Sequence, residues 1–126
     1  MQEYLTVPEK NLLKIPFDAP AQAIAAIEPL TIGAHAAGKL HLTPDDRVLV
    51  IGAGPIGVSC ALNAQTYGAA VYLADTNEAR RNFVKNRFSL EVLDPIGYDY
   101  AKEIAYITQG AVSYTHLRAH ETVLDL

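Results

Sequence analysis

The chain has a single cysteine, Cys60. A disulfide framework needs pairs and a four-cysteine metal site needs four, so both are excluded. A lone thiol suits a reducing compartment. Like charges are also scarce in series. There are 10 Lys and Arg against 14 Asp and Glu, a net charge of −4, with no long run of either sign. Gripping nucleic-acid phosphates takes a basic face, so no nucleic-acid partner is expected. No stretch of 18 apolar residues occurs, and no charged segment leads into an apolar core at the start. The expectation is a soluble, cytoplasmic protein that does not enter a membrane.

What is present is hydrophobic residue, at 50 % of 126 positions, enough to build a core in one small domain or a piece of a larger one. One stretch organises the rest. Val48-Leu49-Val50-Ile51 runs straight into Gly52-Ala53-Gly54-Pro55-Ile56-Gly57. A β-branched apolar run followed by Gly-x-Gly-x-x-Gly predicts a strand, a tight turn and a helix start, the element that receives a dinucleotide's pyrophosphate. Gly52 allows the sharp turn, Gly54 lets a phosphate approach the backbone, and Gly57 lets the helix lie close to the strand. Pro55 falls near the first helical position, where a missing N–H costs nothing. The free amides of that helix end would face the phosphates. Three glycines at this spacing arise by chance at roughly 3 in 10,000 positions, so the pattern needs its context. Asp75 supplies it. It stands 18 positions beyond Gly57, at the end of the next apolar run. That is the place of the acid that binds adenosine ribose hydroxyls, and its charge would repel a 2′-phosphate, which favours NAD over NADP. An Asp there can also cap the following helix.

Along the chain, Tyr4–Val7 and Leu12–Ile15 read as short strands, punctuated by Pro8 and Pro16. Residues 19–28 suit a short buried helix, and Pro29 opens a second helix over Leu30–Lys39, whose small residues permit close packing. Residues 42–46 form a turn. After the glycine stretch come a helix over 58–67 closed by a left-handed Gly68, a strand over 70–74, a charged helix over 78–87, a strand over 91–94 and a helix over 98–108. Strands alternating with helices predict a parallel sheet with right-handed crossovers. About three strands are supplied, where a complete doubly wound dinucleotide domain has about six. Residues 112–126 are polar and mixed, where a fourth apolar strand would belong.

From Glu3 to Gly110 the sequence resembles the zinc-dependent medium-chain dehydrogenase/reductase family, in its sorbitol (polyol) and sugar-acid 5-dehydrogenase branch. The resemblance is carried by Tyr4-Leu5-Thr6-Val7-Pro8 with Lys14-Ile15-Pro16, by Ile27-Glu28-Pro29-Leu30 with Ala34-His35-Ala36, and by Asp46-Arg47-Val48-Leu49-Val50 leading into Gly-Ala-Gly-Pro-Ile-Gly, then Asp75 with Arg80 five positions on. It implies the first half of a Rossmann doubly wound domain, preceded by the end of a GroES-like catalytic domain. The boundaries are 1–18 for the catalytic remnant and 19–111 for the partial NAD-binding domain. Residues 112–126, which resemble translated adapter sequence, stand outside the fold.

The implied activity is that of a zinc-dependent NAD(H) alcohol, polyol or sugar-acid dehydrogenase, homo-oligomeric when intact and acting on a small-molecule alcohol. The cofactor-binding candidates are Gly52, Gly54, Pro55, Ile56, Gly57, Asp75 and Arg80, the last bordering the adenine. Arg81 reads as a surface charge. Glu28 is the one metal candidate, in an intact parent only. Its apolar neighbours suggest a buried, partnered carboxylate. No catalytic residue is assigned, and the chain alone is expected to be inactive. His35 reads as a helix residue near the cleft and Cys60 as a small core residue. His116 and His120 are four apart, but lack the flanking context of a zinc site. Two other readings stand beside this one: a stand-alone nucleotide-binding module without catalysis, and a truncated product with no function of its own.

Overall fold

A computed structural model describes residues 3–16, 18–96 and 99–108. After a 3-10 turn at Glu9–Asn11 come α1 (Ala21–Ala25), α2 (Ile27–Lys39), β1 (Arg47–Ile51), α3 (Pro55–Thr66), β2 (Ala70–Ala74), α4 (Glu78–Arg87), β3 (Glu91–Leu93) and α5 (Tyr100–Thr108). The strands form one parallel sheet in the order β1-β2-β3. This is the expected open, Rossmann-like architecture.

Side chains alternate across a strand, so register decides which of them share a face. Val48 pairs with Val71 and Val50 with Leu73. All four are buried, together with Cys60, Ala61 and Ala64 of α3 and Val84 of α4. The helix alanines are small enough to bring α3 flat onto the β-branched surface, and burying each Val or Leu contributes about 1.5–3 kcal/mol. The opposite face carries Leu49 paired with Tyr72, both half-buried, and Ile51, which is exposed.

Helix α2 packs against α3 rather than on the sheet. At Gly33 the backbones come so close that a Cβ would lie 2.5 Å from the Ser59 carbonyl carbon and 2.7 Å from the Cys60 nitrogen. The small residues of α2 thus do serve close packing. Gly68, just past α3, has φ +84° and donates its N–H to the Gln65 carbonyl at 2.9 Å, as the left-handed ending predicts.

Several boundaries differ from expectation. Tyr4–Val7 and Leu12–Ile15 are not strands; Tyr4 and Leu13 are 88 % and 89 % exposed. A strand exists only by pairing, and no described strand lies beside either segment. The first two helices break at Ala26, so Pro29 is the third residue of α2 and Glu28 the second. Proline is tolerated there because first-turn amides have no intrahelical acceptor. Tyr98, which was to open the last helix, lies outside the described residues, as does the tail over 112–126. Among the described residues no helix is long and apolar enough to cross a membrane.

Candidate dinucleotide-binding site

Strand β1 delivers the chain to Gly52, whose φ of +107° only glycine adopts without strain. Its N–H donates to the Ala74 carbonyl at 2.6 Å, one last bond between the ends of β1 and β2. Two residues on, Gly54 is the N-cap of α3, with no side-chain cap, and Pro55 is the first helical residue. The Val58 N–H closes the first turn on the Gly54 carbonyl at 2.9 Å. Ile56 and Gly57 lie within that turn, where amides have no acceptor in the helix and carry its positive end.

The three glycines have different physical grounds. A Cβ on Gly57 would run into the Gly52 carbonyl oxygen. The helix therefore folds back on its own turn at that point, as close helix–strand packing requires. A Cβ on Gly54 would meet nothing within 4 Å. Protein packing thus gives no reason for a glycine at 54, whereas a ligand approaching the backbone does. That open cradle, under uncapped amides, fits a diphosphate.

Asp75 is the first residue past β2 and is 7 % exposed. Its Oδ2 accepts the N–H of Ala53, inside the glycine loop, at 2.7 Å, and its Oδ1 accepts the N–H of Asn77 at 2.7 Å. Burial pushes its pKa up. The two amide hydrogen bonds, with Arg80 and Arg81 nearby, outweigh that and hold it below the ordinary carboxylate value of 3.8. The group is therefore an anion at neutral pH. Each oxygen has used one acceptor position and keeps another, so the carboxylate fits a pair of ribose hydroxyls. The Arg80 guanidinium lies 3.8 Å from Asp75 Oδ2, on a side chain 61 % exposed.

The helix cap is not Asp75. Asn77 is the N-cap of α4 and its side chain accepts the Arg80 N–H at 3.0 Å. The sequence reading missed Asn77, although an Asn directly before Glu78 and a helical run is an N-cap signal. It also misjudged Arg81, which is not a free surface charge. Its guanidinium donates to the Asp75 carbonyl at 2.8 Å and to Asp94 at 2.7 Å. Nothing in the local pattern marks that link.

The structure therefore brings Gly52, Gly54, Pro55, Ile56, Gly57, Asp75 and Arg80 to one end of the sheet. Glu28 stands apart on α2, exposed rather than buried. Its carbonyl accepts the Thr31 hydroxyl at 2.7 Å. Among the described residues no group of three His, Cys, Asp or Glu could hold a metal. His35 is exposed on α2. Cys60 is buried in the core, and burial pushes its thiol pKa up, which suits packing rather than reactivity. His116 and His120 lie outside the described residues.

A parallel sheet with a glycine turn after its first strand and a carboxylate at the end of its second has the layout of a dinucleotide-binding domain. The chain belongs to the family described as alanine dehydrogenase/PNT, C-terminal domain, which matches residues 21–119. It is similar to L-galactonate-5-dehydrogenase of Escherichia coli (strain K12), 45 % identical over 102 residues, covering 81 % of this chain and 30 % of that protein. It is also similar to an uncharacterized zinc-type alcohol dehydrogenase-like protein of Haemophilus influenzae. There the identity is 34 % over 119 residues, covering 94 % of this chain and 35 % of the relative. Among solved structures, a protein of Escherichia coli CFT073 described as a short chain alcohol dehydrogenase, complexed with NADH, superposes with a TM-score of 0.69 at 32 % identity, covering 79 % of this chain and 30 % of that one. The two curated relatives, a sugar-acid 5-dehydrogenase and a zinc-type alcohol dehydrogenase-like protein, are of the kind the resemblance implied. The chain spans about a third of their length.

Proposed function

We propose that the chain is the part of a zinc-dependent NAD(H) alcohol, polyol or sugar-acid dehydrogenase that holds the cofactor's adenosine and pyrophosphate. The observation that carries this is the 2.7 Å bond from the Ala53 amide to Asp75 Oδ2. It ties the Asp75 carboxylate to the glycine loop, which supports reading the one as the ribose acid and the other as the phosphate cradle. Gly54 leaves the backbone open to the diphosphate. The first-turn amides of α3, Ile56 and Gly57 among them, donate to it. Asp75 accepts the ribose hydroxyls and opposes a 2′-phosphate, and Arg80 borders the adenine.

When bound, NAD supplies the hydride acceptor for alcohol oxidation. Holding and orienting it is the work of these residues, and the alcohol-binding pocket and catalytic groups belong to the rest of the parent. Glu28 is the single carboxylate here proposed to stand near the parent's zinc. One carboxylate is not a zinc site, so no step is assigned to it. The substrate is read as a small-molecule alcohol, after the similar L-galactonate and zinc-type alcohol enzymes. The parent is read as a cytoplasmic homo-oligomer.

Calorimetric titration of the 126-residue chain tests the reading. NAD is expected to bind, and NADP at least about tenfold more weakly, the cost of setting a phosphate against Asp75. Absence of NAD binding, or a preference for NADP, overturns it.

A further inference from the structure

The two arginines that follow Asp75 have opposite settings. Arg80 is 61 % exposed at its side chain, whereas Arg81 is 17 % exposed. The backbone ladder between β2 and β3 ends at Ala74 paired with Leu93. Asp75 and Asp94 are the next residues on each strand, beyond the last rung. Arg81 spans them. Its Nη1 donates to the Asp75 carbonyl at 2.8 Å and its Nη2 donates to Asp94 Oδ2 at 2.7 Å. Asp94 is itself fixed, since its Oδ1 accepts the Ile96 N–H at 3.0 Å. The guanidinium thus adds a rung that the backbone does not make, with the two-pronged rigidity of a planar fork.

We propose that Arg81 is a positioning residue of the nucleotide site. By splicing the ends of β2 and β3 it fixes the main chain of Asp75, aims its carboxylate, and so sets the preference for a ribose bearing both hydroxyls. This rests on the dinucleotide reading above. The physical ground is that a side chain points as its backbone directs. The Asp75 carbonyl has no described strand beyond the ladder to hold it, and both carboxylate oxygens already reach for amides in different segments, Ala53 and Asn77. A small rotation at residue 75 breaks that pair of reaches. Lysine cannot substitute, because one ammonium on a flexible stem does not bridge two fixed acceptors.

The test is a ratio. NAD and its 2′-deoxyadenosine analogue are titrated into the wild-type chain, Arg81→Met and Asp94→Asn, with folding followed by circular dichroism. Both ligands carry the same diphosphate, so loss of positive charge alone weakens both equally and leaves their ratio unchanged. Wild type is expected to favour NAD about tenfold, the measure of one charge-assisted hydrogen bond. In Arg81→Met the ratio is expected to fall toward one, NAD losing more affinity than the analogue. Asp94→Asn loosens the guanidinium from its far side and should lower the ratio part of the way. If Arg81→Met does not fold, Asp94→Asn decides: a lowered ratio supports the proposal and a wild-type ratio overturns it. A folded Arg81→Met with the wild-type ratio overturns the positioning role alone. A wild-type chain with no preference overturns the dinucleotide reading, and the proposal with it.

Discussion

Helices α3 and α4 each follow a strand of the same sheet, yet they begin in opposite ways. Helix α4 starts at Asn77, whose side chain accepts a first-turn amide, with Glu78 as the first helical residue. Its N-terminus is closed by its own sequence. Helix α3 starts at Gly54 with no side-chain cap, and Pro55 follows. Its amides are left for something else. The cores of the two helices differ in the same sense. Helix α3 buries Ser59, Cys60, Ala61 and Ala64, whereas α4 buries only Val84 and carries charge at Glu78, Arg80, Arg81, Lys85 and Arg87. Tertiary packing therefore holds α3 in place without a cap, and α4, which has little packing, depends on its cap. A helix end can stay open for a ligand only where burial elsewhere stabilises the helix.

The largest effect should come from closing the gap that α3 folds into. Gly57→Ala puts a methyl group onto the Gly52 carbonyl oxygen, a backbone atom that cannot swing aside. Overpacking of this kind costs about 1–3 kcal/mol, and a rigid neighbour places it at the upper end. Both the urea midpoint and NAD affinity should fall together. A variant with wild-type stability would mean that α3 does not lie as close to its turn as described.

Next in size is Asp75, which joins the two strand ends that precede α3 and α4. Its folded-state pKa is depressed, so the stability it contributes is present above the unfolded value and is lost as pH falls through the folded one. The window lies below about pH 4, the unfolded value for Asp. Urea unfolding of the wild type at pH 6 and pH 3 should therefore show a loss that Asp75→Asn lacks, since the amide has no charge to titrate. At pH 6 the variant should be the less stable of the two. An equal loss in both proteins would assign the acid sensitivity to other carboxylates, Asp46 among them, whose pKa its bonds to Thr43 also lower.

The same contrast marks how much the sequence could disclose. The glycine turn, Pro55 at the helix start and Asp75 were legible because each is a local requirement: a positive φ, a tolerated missing amide, a carboxylate at fixed spacing. The parallel sheet was legible because apolar runs alternate with helical ones. The short strands expected at Tyr4–Val7 and Leu12–Ile15 failed because pairing is not local: all of those residues except the half-buried Ile15 are exposed, and no described strand pairs with them. Glu28 was placed at the end of one helix and lies in the first turn of the next, since the break falls at Ala26, where no proline or glycine signals it. Arg81 was invisible for a related reason. Its role joins residues 75 and 94, and no spacing rule connects them.

A smaller effect belongs to the closed end. Asn77→Ala removes the side-chain acceptor for the Arg80 amide, and loss of such a cap costs about 0.5–2 kcal/mol. The backbone N–H of Asn77, which donates to Asp75, is kept. Stability measured by urea unfolding should drop while NAD affinity changes by less than about threefold, well under one hydrogen bond. A large fall in affinity would tie the α4 cap to the nucleotide site and erase the difference between the two helix ends.

The smallest change in stability should come from the open end. At Gly54 a methyl group meets nothing within 4 Å, and the φ of −75° is one alanine adopts freely. Stiffening the unfolded chain favours alanine by about 0.4–1 kcal/mol. Alanine is a poorer N-cap than glycine, which works the other way by a similar amount. Gly54→Ala should therefore shift the unfolding midpoint by less than the equivalent of about 0.5 kcal/mol, within the range of ordinary surface substitutions. Nucleotide binding should respond far more, because the methyl group occupies the space through which a diphosphate reaches the amides of α3. NAD affinity lower by tenfold or more in a chain of unchanged stability would separate a glycine kept for a ligand from one kept for the fold. Unchanged affinity would show that the cradle lies elsewhere on the helix end.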